Sequence, residues 1–267
     1  MTMNKKPNSE FLFTVVALLI SIVIVHTVYV LHVRPVAEAT LQADRERMQV
    51  DPNYVPPRSI EVVLKDYEQE STIVLMLWAM AIMAYMAKTN RREQDALDAD
   101  LLRLPDGMKI LPEDTREYAR QIETLPGETR ELLAPRALLS ALARFGATRN
   151  VQDASTVAHG ICQTEADRLD SELSMLRYIA WAIPAIGFIG TVRGIGDALS
   201  QAHKAVTGDI SGVTEGLGVA FNSTLIALLL SILLMFLMQQ LQRVQERRVL
   251  DTETWLDQKV IRNLQAR

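Results

Sequence analysis

The chain has one cysteine, Cys162, in 267 residues, so it cannot form an intramolecular disulfide. Its four histidines, His26, His32, His159 and His203, are scattered without metal-ligand spacing. There is no P-loop, and the glycines between Gly190 and Gly196 do not follow a phosphate-cradling pattern. Cys162 has no base partner nearby in sequence. The chain therefore shows no nucleophile, base or metal constellation, which points away from an enzyme and calls for no cofactor. A net charge of −4 gives no basic footprint for nucleic acid. Aromatic residues are also scarce, at 6%, although 49% of the chain is apolar. The apolar excess is thus aliphatic and small, and it is gathered into blocks separated by charged stretches.

A membrane-spanning helix needs about 20 consecutive apolar residues to cross a hydrocarbon core about 30 Å thick. Four blocks approach this length. Phe11 to Leu31 contains no Asp, Glu, Lys or Arg. Ser71 to Ala87 is shorter but also uncharged. Met175 to Leu199 holds Pro184, the glycines Gly187, Gly190, Gly194 and Gly196, and the charges Arg177, Arg193 and Asp197. Gly216 to Leu237 is polar only at Asn222, Ser223, Thr224 and Ser231. The first block is either a retained anchor or a signal peptide, with Ala37-Glu38-Ala39 as the candidate cleavage site. Its length favours the anchor.

Lys5 and Lys6 precede the first block, Lys88, Arg91 and Arg92 follow the second, and Arg243, Arg247 and Arg248 follow the fourth. Basic flanks face the cytoplasm, so the expected topology has four crossings with both termini inside. The fold class is an all-α membrane protein. Its divisions are an anchor over 1–33, an external loop over 34–70, a second span over 71–88, a cytoplasmic helical region over 89–174, a third and fourth span over 175–238, and a cytoplasmic C-terminal helix over 239–267. Pro35, Pro52, Pro56 and Pro57 exclude one long helix across the external loop, with Val62 to Glu70 read as the top of the second span. In the cytoplasmic region, breaks are expected at Pro105-Asp106-Gly107, Pro112, Pro126-Gly127 and Pro135. Its acidic start, Glu93, Asp95, Asp98 and Asp100, reads as a solvated helix face or a dock for a basic partner. Leu241, Val244, Val249, Leu256 and Ile261 form a loose helical stripe in the tail.

On the third block, Pro184, Gly187, Thr191, Gly194 and Ala198 recur in steps of three and four and share one helix face. Ala220, Thr224, Ala227 and Ser231 do the same on the fourth. Gly190 and Gly194 supply GxxxG spacing. Two readings stand. One is close helix packing, with hydroxyls bonded back to their own helix. The other is a narrow polar path in which Thr191 and Thr224 solvate a cation or hold water. Neither threonine titrates near neutral pH, so a proton path would need a carboxylate from elsewhere. Arg193 and Asp197, four residues apart, either form an ion pair or sit at the outer interface, as does Glu215.

The segment PAIGFIGTVRGIGDAL, Pro184 to Leu199, resembles the proline-glycine-threonine helix of the MotA/TolQ/ExbB proton-channel family. GVAFNSTLIALLLSI, Gly218 to Ile232, is similar to the helix that follows it there. The resemblance implies a homopentamer in a bacterial inner membrane, its third and fourth helices lining a pore around a dimer of MotB-, ExbD- or TolR-like single-helix partners. It places the protonatable Asp on the partner and implies a stator-type subunit that couples proton-motive force to mechanical work, with H+ as the transported ion and Na+ as the alternative. Thr191 and Thr224, with Asn222 and Ser223 beside them, would be the ion pathway. Pro184, Gly187, Gly190, Gly194 and Ala220 would shape the pore helices. Two positions depart from the family pattern. Val219 stands where a glutamate precedes the second threonine in ExbB and TolQ, and Arg193 replaces an apolar or aromatic residue. A non-conducting membrane scaffold that docks a cytoplasmic partner is the rival expectation.

Overall fold

The computed structural model describes residues 6–51, 54–98, 101–102 and 108–266. Lys5, Pro52, Asp100 and the expected break at Pro105-Asp106-Gly107 lie outside the described residues, as do the side chains of Lys6 and Asp98. Everything described is helix, turn or irregular chain, apart from one isolated parallel bridge between Ile110 and Leu264. The main helices are α1 (Lys6–Val28), α2 (Arg34–Val50), α3 (Ile60–Leu64), α4 (Tyr67–Asp98), α5 (Thr115–Glu123), α6 (Gly127–Arg130), α7 (Leu133–Thr148), α8 (Val151–Glu172), α9 (Ser174–Ser200), α10 (Ala202–Ala205) and α11 (Ser211–Trp255). Among the described residues, four helical stretches are long and apolar enough to cross a membrane: Phe11–Val50, Tyr67–Leu97, Val151–Ser200 and Ser211–Asn263.

The prolines act differently from expectation at two places. Helix continues past the first apolar block and through Pro35, because the widened turn just before it takes up the backbone bond that the missing N–H cannot make. A single π-turn over Tyr29–Val33 joins α1 to α2. The chain leaves helix only after Val50, so the expected external loop begins as helix. Pro135 lies in the first turn of α7 and does not separate two helices. Pro112 and Pro126 do lie between helices. The top of the second span is interrupted. The short α3, capped by Ser59 on the Val62 amide, ends before Lys65-Asp66, and α4 starts afresh at Tyr67.

The chain divides into two compact units. The first comprises residues 1–83 and 175–238. Its outside is apolar: Phe11, Leu19, Val23, Leu31, Trp181, Phe188, Val192, Phe221, Leu229 and Phe236 are all exposed. Its inside contains small and polar residues: Ser21, Thr72, Ala79, Ala220, Ser223, Ala227 and Ser231 are buried. Such an inversion suits a hydrocarbon solvent, where helices associate through small residues and internal hydrogen bonds and not by hiding apolar surface. The indole of Trp78 on α4 donates to the Thr14 carbonyl of α1 at 2.9 Å. Val25, Tyr29 and Val33 pack with Leu64, Ile73 and Val74.

The second unit comprises residues 84–174 and 239–267 and is built as a water-soluble core. Leu138, Leu142, Phe145, Ala154 and Cys162 are buried with Val249, Leu256 and Val260 of the tail. Within the expected tail stripe, Val244 is exposed, and Val260 and Leu264 take up the burial instead. Glu93 is also buried, and it accepts from the Leu133 amide at 2.9 Å, so it serves the free N-terminus of α7. Among the described carboxylates, Glu165 is the most buried. It is 2% exposed and lies among three guanidinium groups, at 2.9 Å from Arg136, 3.0 Å from Arg168 and 3.6 Å from the equally buried Arg248. Removing one member of a buried pair strands its partner's charge, at a cost of about 3–5 kcal/mol. Glu165→Ala should therefore destabilise the second unit by about that amount, with most of the loss recovered by adding Arg248→Met. Thermal unfolding of the detergent-purified protein, followed by limited proteolysis, measures both.

Candidate functional site: the seam between α9 and α11

The small faces of α9 and α11 meet directly. A Cβ placed on Gly187 would lie 2.5 Å from the Ala227 Cβ. One on Gly194 would lie 2.5 Å from both the Ala220 nitrogen and the Gly216 carbonyl oxygen. The contact is reciprocal, because a Cβ on Gly216 would lie 2.6 Å from the Ala198 nitrogen and 2.7 Å from the Gly194 carbonyl oxygen. The neighbours of Gly194 and Gly216 are backbone atoms, and the Ala227 Cβ is fixed to its backbone, so none can swing aside. A Cβ on Gly190 would collide with the Ser223 hydroxyl, and the Glu68 Cγ of α4 lies at 3.0 Å. Gly190 is thus where α4, α9 and α11 come together.

This closeness brings the hydroxyls across the seam. Thr191 and Thr224 share a hydrogen bond between their side-chain oxygens. Thr191 Oγ1 also reaches the Ala220 carbonyl of α11 at 3.2 Å and its own helix's Gly187 carbonyl at 3.3 Å. Thr224 Oγ1 reaches the same Gly187 carbonyl at 3.2 Å. Ser223 adds a third hydroxyl, 3.1 Å from the Ala220 carbonyl and 3.4 Å from that of Gly187. Each hydroxyl carries one proton and can both donate and accept. Three protons thus serve two carbonyls and the hydroxyl oxygens themselves, so donor direction can change without heavy atoms moving. Ser223 is buried, the two threonines are half-buried, and Asn222 is half-buried.

Pro184 has a specific complement. Having no N–H, it leaves the carbonyl four residues earlier, that of Ala180, without its helical donor. The Ser231 hydroxyl of α11 donates to that carbonyl at 3.1 Å. A proline in a membrane helix is tolerated when a neighbour repairs the freed group in this way.

Arg193 is held by a residue that sequence reasoning did not single out. Its Nε and Nη2 donate to the two Glu68 oxygens, each at 2.7 Å, in a bidentate pair. Asp197, the expected partner, is a secondary contact at 3.8 Å. Two residues along α4, Glu70 serves the opposite side. It pairs with Arg34 and with His26 Nδ1, the latter at 2.7 Å. Residues two apart on a helix point about 200° away from each other, so Glu68 and Glu70 serve different neighbours. The signal was present in the sequence: Asp66, Glu68 and Glu70 crowd the entrance of an uncharged run, and the third block carries an arginine needing a partner. Glu215 bonds weakly to Arg45 at 3.3 Å and Lys65 at 3.5 Å, with its side chain half exposed. Asp66 sits between α3 and α4, where burial pushes its carboxyl above the usual range.

The seam therefore belongs to a membrane protein whose paired small-faced helices hold polar groups between them. Residues 135–254, which carry both helices, match the MotA/TolQ/ExbB proton channel family. Searches of curated proteins and of solved structures find no match to the chain.

Gly194→Leu should prevent α9 from closing on α11 and abolish the folded first unit. Gly196→Leu, where a Cβ meets nothing within 4 Å, should be tolerated. Detergent-phase size-exclusion profiles distinguish them. Ser231→Ala should cost about 1–3 kcal/mol by orphaning the Ala180 carbonyl. The loss should shrink toward zero in a Pro184→Ala background, where the backbone N–H returns, as a double-mutant cycle of thermal stabilities would measure.

Proposed function

We propose that the chain is the proton-conducting subunit of an inner-membrane motor or energising complex. In this reading it forms a homopentamer with cytoplasmic termini, around a partner dimer whose single helices carry an aspartate. Ion flow along the α9–α11 seam, with Na+ as the alternative to H+, drives relative movement of the two components, and the cytoplasmic helices transmit it or brace against it. The observation that carries the reading is the Thr191–Thr224 hydroxyl pair inside the family-matched stretch. The pair has no titratable group of its own, and its shared hydrogen bonds can reverse direction. A partner carboxylate brought beside it would complete a relay in which the hydroxyls solvate the proton between carboxylate and water. Val219 stands where ExbB and TolQ carry a glutamate, so in this reading the carboxylate comes from the partner.

A second reading, a non-conducting scaffold, draws on one specific observation. Both threonine hydroxyls already reach backbone carbonyls across the seam, a satisfied arrangement that needs no ion. The two readings separate in one experiment. In vesicles containing the complex purified from native membranes, Thr191→Val with Thr224→Val keeps the side-chain volume and removes both hydroxyls. The conducting reading expects proton flux, followed with an internal pH-sensitive dye, to fall at least tenfold while complex assembly persists. Unchanged flux rejects it, and absence of flux in the unaltered complex favours the scaffold.

A further inference from the structure

Arg193 follows Thr191 by two residues, about 3 Å further along the helix axis. Its guanidinium does not lose its proton under any condition the protein meets. A permanent positive charge so close to the hydroxyl pair opposes the approach of any cation. At an effective permittivity of about 20 and a separation of about 10 Å, one such charge changes cation occupancy on the order of tenfold. The structure gives this charge a dedicated counter-ion. Glu68 is buried, engages Arg193 through both oxygens, and lies in the first turn of α4, where the helix dipole favours its anionic form. Access to Arg193 depends on Gly190, because Glu68 Cγ passes 3.0 Å from where a Cβ would stand.

The same guanidinium borders a cavity of about 440 Å³, lined also by Lys65, Asp66, Asp197, Glu215 and Gly216. Gly216 and Val219 bring the seam into its wall. Glu215 is shared between Lys65 and Arg45, so it is not free to neutralise Arg193. Without Glu68, the arginine is left to Asp66 and Asp197, both in the wall of the cavity that opens on the seam.

We infer that Glu68 is the charge-compensating positioning residue of the conduction route: it pins the Arg193 guanidinium to the α4 side and cancels its charge, so that cations reach the threonine pair. This inference rests on the conducting reading above. The test uses the tagged complex from native membranes in vesicles, with proton flux normalised to the amount of assembled complex. Glu68→Gln should lower flux on the order of tenfold. Glu68→Gln with Arg193→Met should restore flux to within about threefold of the unaltered complex, because the uncompensated charge is gone. A merely structural pair predicts a loss in the amount of assembled complex and none in the flux normalised to it. Wild-type flux in Glu68→Gln, or no recovery in the double variant, overturns the inference and leaves the conducting reading standing. No flux in the unaltered complex overturns both. If Glu68→Gln fails to assemble, the exchange Glu68→Arg with Arg193→Glu decides. It keeps the pair with polarity reversed and should conduct, and an assembled exchange variant without flux rejects the proposal.

Discussion

Backbone contact between α9 and α11 is the constraint on which the first unit depends. Hydroxyls on short side chains can meet across two helices only if no side chain separates the backbones. Gly187, Gly194 and Gly216 meet that condition, and the distances to neighbouring backbone nitrogens and carbonyls leave no room for a methyl group. Helix propensity is sacrificed at each glycine, but in lipid the loss is offset by dispersion contacts and by hydrogen bonds with no water to compete for them. Pro184 adds to the same arrangement. It frees a carbonyl that α11 must satisfy, so Ser231 has to arrive at one height along α9 and no other.

The two units solve opposite problems with polar groups. In the second, Leu138, Leu142 and Phe145 supply the burial, and the buried charges are held by partners, Glu165 among guanidinium groups and Glu93 on the Leu133 amide. In the first, the exterior is already apolar, and polar atoms inside provide the specificity. Ser223 and the two threonines fix the seam, while Glu68 and Glu70 tie α4 to its neighbours.

The seam was legible in the sequence because it is local. Pro184, Gly187, Thr191, Gly194 and Ala198 repeat at helical spacing, as do Ala220, Thr224, Ala227 and Ser231, and two such stripes in adjacent spans have few other places to go. The long helices and their membrane-crossing composition were legible for the same reason. Arg193 was harder, because Asp197 stands one turn away while Glu68 is 125 positions distant. Spacing along one helix favours the near carboxylate, but the rotamer that reaches across to α4 gains two parallel charge-assisted bonds. Pro135 was misread as a break because a proline in the first turn forbids helix before it and not after it. The pairing of Pro184 with Ser231 needed coordinates. Sequence shows that a carbonyl is freed but not which hydroxyl arrives.

The opposed carboxylates of α4 have a mechanical consequence. Glu68 grips α9 and Glu70 grips the α1–α2 helix, from nearly opposite sides of one cylinder. Any axial rotation of α4 stretches both attachments at once, so it is clamped against torsion much as a shaft is by two opposed keys. Twisting is the soft motion of an isolated membrane helix, and here it is the stiff one. Displacements in the first unit are thereby channelled into tilting or sliding of three helices as one piece.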